Sequence, residues 1–158
     1  MQEIDFKSAL AKMAAYCSKS EQCIKNVRDK LSKWELSEKE KDEIINYLVQ
    51  EKFIDEERYT LFYVKDKHRF QHWGKNKIAM MLQAKGIKKN IIEDALSNIE
   101  EIDYNEQLYT LLRNKFRQLK FNSLYEAKGK LYRFGCSRGF ESDIVIKISE
   151  KVINESNL

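Results

Sequence analysis

Apolar residues recur at three- and four-residue steps along most of this chain, the spacing that puts them on one face of an α-helix. Over residues 5–18 they are Phe6, Leu10, Met13, Ala14 and Cys17. After Ser20, the expected start of a second helix, they are Ile24, Val27, Leu31 and Trp34. Ser37 opens a third stretch, with Ile44, Ile45, Leu48 and Val49 as its stripe. Its hydroxyl suits an N-cap, Glu40 stands three residues on as a capping box requires, and acids crowd the first turns, where the helix dipole favours them. Asp55 is the expected N-cap of a fourth helix whose apolar side carries Tyr59, Phe62 and Tyr63. Gly74 interrupts the pattern. The stretch after it presents Ile78, Met81 and Leu82, then Gly86, which fits the left-handed position just past a helix end. Ile91, Ile92, Ala95 and Leu96 mark a sixth helix, Leu108, Leu111, Leu112 and Leu119 a seventh, and residues 123–140 and 141–153 an eighth and a ninth.

The nine stretches group in threes. The segments KLSKWEL (30–36), MLQAKGI (81–87) and FGCSRGF (134–140) align, each ending on an apolar residue: Leu36, Ile87 and Phe140. Val27, Ile78 and Leu131 match before them, and the pairs Ile45 and Leu48, Ile92 and Leu96, Ile144 and Ile148 match after them. Units of this size stack and bury one another's apolar faces, so an elongated all-α array of three repeats is expected, dividing at 1–54, 55–102 and 103–158.

Composition agrees with helices. The 158 residues contain no proline and five glycines, so little in the chain interrupts helical hydrogen bonding. No apolar run reaches the ~18 residues of a membrane span. The start lacks the order of charge, apolar core and small residues of a secretory signal, and a cytoplasmic location is expected. Cys17, Cys23 and Cys136 form no CxxC and read as reduced core residues.

The net charge of +4 conceals alternating blocks. Residues 35–57 hold nine acids against three bases, residues 58–92 nine bases against Asp66, residues 93–112 six acids, and residues 113–138 eight bases against Glu126. Such blocks either pair with one another or meet an anionic partner.

The order EKFIDEERYTLFYV, then WGKNKIAMMLQAKGI, then II and AL resembles the RecX family of bacterial recombinase regulators. Phe53, Ile54, Asp55, Glu56, Arg58, Tyr59, Gly74, Ile78, Leu82, Gly86 and Ile87 match its central pattern. KLYRFGCSRGFESDIVIKI resembles its C-terminal pattern, and Ser20 with Leu31 its first repeat, so the likeness runs over residues 6–153. Two departures stand out: Glu35 occupies a position usually held by glycine, and Gly135 one usually held by a larger apolar residue. The resemblance implies three tandem helix-turn-helix-like repeats in a curved array. It further implies a monomeric, non-enzymatic regulator, without cofactor or membrane contact, that binds the RecA–DNA filament. Such a regulator inhibits RecA's strand exchange, ATP hydrolysis and coprotease action. The implied partners are RecA, single-stranded DNA and double-stranded DNA, and the implied processes are homologous recombination, DNA repair and the SOS response.

The basic segments supply the candidates for contact with RecA or DNA. One set is Lys65, Lys67, Arg69, Lys75, Lys77, Lys88 and Lys89; the other is Arg113, Lys115, Arg117, Lys120, Lys128, Lys130, Arg133 and Arg138. A stripe of such side chains tracks a polyanion and makes binding salt-sensitive. Lys85 belongs to the same run, but snorkelling and the helix dipole already account for it. Phe116, Phe121, Tyr125, Tyr132, Phe134 and Phe140 interleave with the second set; at helical spacing they read as core, although exposed aromatics stack on unpaired bases. Tyr63, Phe70 and Trp73 are the better candidates for a partly exposed aromatic patch. His68 and His72, four residues apart, would share a helix face, but no glutamate or third ligand accompanies them, and no metal site is read there. No catalytic constellation or phosphate-binding loop is present. Two other classes compete: a stand-alone helix-turn-helix regulator of DNA, and a helical scaffold for acidic proteins. Gln83, Asn90 and Arg133 are too scattered to form a recognition helix for the former.

Overall fold

The computed structural model describes residues 1–156. Among them the chain forms nine α-helices and no strand. They are α1 (Phe6–Lys19), α2 (Ile24–Leu31), α3 (Glu38–Gln50), α4 (Glu56–Arg69), α5 (Lys75–Ala84), α6 (Lys89–Leu96), α7 (Glu101–Gln118), α8 (Leu124–Ser137) and α9 (Ser142–Glu155). The all-α helical fold follows from the three- and four-residue periodicity, and most of the helix ends follow from local chemistry. Asp5 caps α1 by accepting from the Ser8 N–H at 2.7 Å. Ser37 and Glu40 close the capping box of α3 in both directions, at 3.1 Å each. Asp55 accepts from the Arg58 N–H at 3.1 Å at the start of α4.

The second helix starts later than its sequence suggests. Ser20 ends α1 instead, and α2 begins at Ile24 behind Cys23, whose side chain caps nothing. The missing cap comes from 32 residues away: the Glu56 carboxylate accepts from the Ile24 N–H at 3.1 Å. Burial raises the pKa of Glu56 while that bond works in the opposite direction.

Helices α5 and α8 end in the same way. The Gly86 and Gly139 N–H groups bond to the carbonyls of Gln83 and Cys136, and the Ile87 and Phe140 N–H groups reach back to Leu82 and Gly135, which is the Schellman pattern. Both glycines have positive φ, 75° and 98°. The equivalent turn after α2 has Glu35, and it is closed differently: its N–H donates to the Gln2 carbonyl at 2.9 Å, beside an isolated parallel bridge between Gln2 and Trp34. The early chain replaces the glycine turn.

Cα packing gathers the chain into two compact units, residues 1–63 with 82–92, and residues 64–81 with 93–158. In the first, Ala9, Met13 and Cys17 of α1 meet Val27 and Leu31 of α2 and Ile44, Ile45 and Leu48 of α3. In the second, Tyr104, Leu108, Leu112 and Phe116 of α7 meet Ala127 and Leu131 of α8 and Val145, Ile148, Val152 and Ile153 of α9. Each fully buried leucine contributes roughly 1.5–3 kcal/mol. The aligned Val27, Ile78 and Leu131 are all fully buried, as are Leu31 and Leu82. Gly135 takes the position of those two leucines because Val145 fills the space: a Cβ there would lie 2.8 Å from its methyl carbon.

Three stripe residues differ from expectation. Val49 is 43% exposed, Phe62 60% and Met81 36%. The inner side of α4 is carried by Tyr59, Thr60, Val64 and His68, which rotates Phe62 outward. Cys17 and Cys23 are buried, Cys136 is half-buried, and all three are free thiols; burial pushes the Cys17 thiol up to about 11.

Candidate nucleic-acid interface

Within the second unit, the basic residues at the end of α4 and the start of α5 flank a short corner, residues 70–74. Backbone contacts fix this corner. The Gly74 N–H donates to the Arg138 carbonyl at 2.8 Å, and the Asn76 N–H to the Gly139 carbonyl at 2.9 Å. The approach is so close that a Cβ on Gly74 would stand 2.3 Å from the Gly139 carbonyl carbon. The Lys75 N–H, an otherwise unpaired donor in the first turn of α5, is taken by the Tyr104 hydroxyl at 2.9 Å. That hydroxyl in turn donates to the Glu141 carboxylate. Burial, then this carboxylate, drives the Tyr104 pKa far upward, so the phenol stays a neutral donor. The Gln107 amide donates to the His68 carbonyl at 2.7 Å, and the Arg138 guanidinium to the Gln71 carbonyl at 2.8 Å.

On this frame the charges are of two kinds. Lys67 and Lys77 stand over the Trp73 ring, at 5.1 and 4.3 Å from its centroid, and Lys75 over the Tyr104 ring at 4.9 Å. These three are half-buried and already oriented by aromatic faces. Lys65 and Arg69 are exposed, and their side chains form no ion pair among the described residues. Of the three aromatic candidates, Phe70 is exposed, and Tyr63 and Trp73 are half-buried.

The second basic set also lies in this unit, on and beside α7 and α8. Lys115 rests 5.1 Å from the Phe134 ring centroid and Arg113 5.7 Å from that of Tyr109. Lys130 bonds Glu126 at 3.0 Å and the Lys120 carbonyl at 2.7 Å, and Arg138 is committed to Gln71. Arg117, Lys120, Lys128 and Arg133 are exposed, with no ion pair among the described residues. Lys128 and Arg133 line a groove of about 490 Å³ between α8 and α9. The aromatic residues divide: Phe116 and Phe140 are buried, Phe121 and Phe134 half-buried, and Tyr125 and Tyr132 exposed. The last two depart from the expectation of core.

Lys85, Lys88 and Lys89 belong to the first unit. Lys85 donates to the Asn26 side chain at 2.8 Å, an explicit polar partner beyond the snorkelling and helix dipole expected to account for it. Lys88 and Lys89 are exposed.

The two histidines do not share a helix face. Helix α4 ends at Arg69, His72 lies beyond it with φ of 57°, and His68 points inward. Burial lowers the His68 pKa. Among the described residues no group of three or more His, Cys, Asp or Glu is placed to hold a metal, and no helix is long and apolar enough to cross a membrane. Sequence reasoning missed Tyr104, Gln107 and Glu141 as the supports of the corner. Only the tyrosine left a trace, at helical spacing ahead of Leu108.

Comparison with known proteins agrees with this architecture. Residues 55–96 match the RecX second three-helix domain and residues 101–148 the RecX third three-helix domain, together more than half of the chain. The chain is 35% identical over 132 residues to regulatory protein RecX of Clostridium botulinum (strain Eklund 17B / Type B), covering 82% of this chain and 61% of that protein. It is 30% identical over 159 residues to regulatory protein RecX of Leuconostoc mesenteroides, covering 98% and 60%. It thus spans about three fifths of the length of these relatives. The crystal structure of RecX from Lactobacillus salivarius superposes with a TM-score of 0.82 at 26% identity, covering 93% of this chain and 96% of the other. With two successive domains matched in order and the fold shared over nearly its whole length, this chain belongs to the RecX family.

Proposed function

We propose that this chain regulates the RecA recombinase: it binds the RecA–DNA filament, lowers RecA's recombinase, ATPase and coprotease activities, and thereby modulates DNA repair and the SOS response. Membership of the RecX family carries the reading. The exposed cations add a physical route. Lys65, Arg69, Arg117, Lys120, Lys128 and Arg133 present charge that folding leaves uncommitted. Charge of this kind speeds the approach to a polyanionic filament and is screened by salt. Lys67, Lys75 and Lys77 would act as pre-oriented contacts, since aromatic rings already hold their ammonium groups. The chain acts by binding, as a monomer, and carries out no reaction of its own.

Co-sedimentation with RecA filaments assembled on single-stranded DNA tests the binding step. The protein is expected in the pellet at low salt, with recovery falling as salt rises, and a double Lys65→Ala, Arg69→Ala variant is expected to need less salt for release. Retention that ignores salt, or a protein left wholly in the supernatant while RecA pellets, contradicts the reading.

A further inference from the structure

Helix α8 contains two glycines, and only one is needed by the fold. Gly135 is demanded by Val145, whose methyls lie 2.8 and 2.9 Å from where its Cβ would stand. At Gly129 the nearest atom to a Cβ is the Arg133 guanidinium at 3.3 Å, the far end of a flexible side chain. Its backbone is helical. Alanine would suit a helix interior better than glycine, so packing supplies no reason for this residue.

Gly129 leaves room in the groove for the Arg133 guanidinium, which lies over it with Nη1 3.3 Å from where a Cβ would stand. The glycine lies between Tyr125 and Tyr132 in the groove that α8 forms with α9. Tyr125 is 88% exposed, Tyr132 38% and Ile146 on the facing helix 49%, a concentration of ring and aliphatic surface left in water. Lys128 and Arg133 line the same groove, and the flexible side chain of Arg133 can swing its guanidinium off Gly129. Of the two carboxylates there, Glu126 accepts from the Asn122 N–H at 3.1 Å and pairs with Lys130 at 3.0 Å, and these two hold its pKa below the usual carboxylate range. Glu150 remains, outnumbered by the two cations. Ser149 also lines the groove, with a buried hydroxyl that has no partner among the described residues.

We infer that this groove receives an unpaired nucleotide of single-stranded DNA, its base against Tyr125 and Tyr132 in the place over Gly129 that the Arg133 guanidinium vacates, and its phosphate on Lys128 and the displaced Arg133. Aromatic faces take any base, and guanidinium and ammonium take the phosphate. The inference rests on the proposed action at a RecA–DNA filament and names the part of the chain that touches the strand.

The test is fluorescence anisotropy of a labelled oligothymidylate at low salt, with the wild type, Tyr125→Ala and Gly129→Ala, alongside thermal unfolding of each. Tyr125→Ala removes an exposed ring and is expected to weaken binding about tenfold with an unchanged melting temperature. Gly129→Ala is expected to raise the melting temperature and still weaken binding, a combination that loss of structure cannot produce. An oligonucleotide of abasic sites is expected to bind the wild type more weakly than oligothymidylate and to show no loss with Tyr125→Ala. The inference is overturned if both variants bind like the wild type, or if Gly129→Ala lowers the melting temperature. It is equally overturned if the variants keep DNA binding but lose their effect on RecA, since the groove would then take protein. A wild type that binds no oligothymidylate yet still inhibits RecA refutes the groove assignment and leaves the regulatory reading standing.

Discussion

Single residues in this chain answer to neighbours at very different sequence distances, and three glycines show it. Gly86 sits at φ of 75° with nothing within 4 Å of a Cβ, so alanine there meets only the cost of a left-handed backbone, about 1–2 kcal/mol. A Cβ on Gly74 would stand 2.3 Å from backbone atoms of Gly139, which cannot swing aside. Gly74→Ala is therefore expected to destabilise by about 3 kcal/mol or more, and urea unfolding should rank it well below Gly86→Ala; equal midpoints would contradict the close crossing. The sequence made the role of Gly86 legible because a C′ glycine is a local signal. Gly74 read only as a break, since its reason lies in a helix end some 65 residues on. His68 offers a second residue-scale test. Burial depresses its folded pKa below the ordinary value of 6.5, so the folded state binds fewer protons than the unfolded. Stability is then full above 6.5 and is lost as pH falls through the window below it. The melting temperature is expected to drop on acidification from neutral pH, less steeply in His68→Gln; matching slopes would place the titration elsewhere.

At the scale of elements, helix existence was legible throughout, and helix ends were legible wherever the cap is local. Ser37 and Glu40 are such a case, and Ser37→Ala is expected to cost about 1 kcal/mol in chemical unfolding. A cost near zero would mean that tertiary packing alone holds the start of α3. The start of α2 was not legible, because its cap is supplied by Glu56 from another helix. The facing of α4 was read through Phe62, yet Thr60 and His68 take the inside: each has a backbone partner, the Thr60 hydroxyl donating to the Glu56 carbonyl at 2.6 Å, and His68 Nδ1 3.5 Å from the Trp73 carbonyl. Periodicity weighs apolar character and cannot see a polar side chain that carries its own hydrogen bond inward. The exposed tyrosines of α8 escaped for the opposite reason: spacing alone does not separate a ring that packs from one that waits for a partner.

At the scale of the whole molecule, the alternating charge blocks resolve into a division of labour. Lys130 and Arg138 fasten one part of the chain to another, Lys67, Lys75 and Lys77 are held over rings, and Lys65, Arg69, Arg117, Lys120, Lys128 and Arg133 are exposed. Sequence could list these cations but not sort them, because sorting needs the partners. The regulatory account turns on what the chain does to RecA. The most direct measurement is ATP hydrolysis by the cognate RecA on single-stranded DNA while this protein is titrated in. A fall in the rate at substoichiometric ratios, in step with filament binding, is the predicted result. An unchanged rate with the protein bound and the filaments intact would contradict the account.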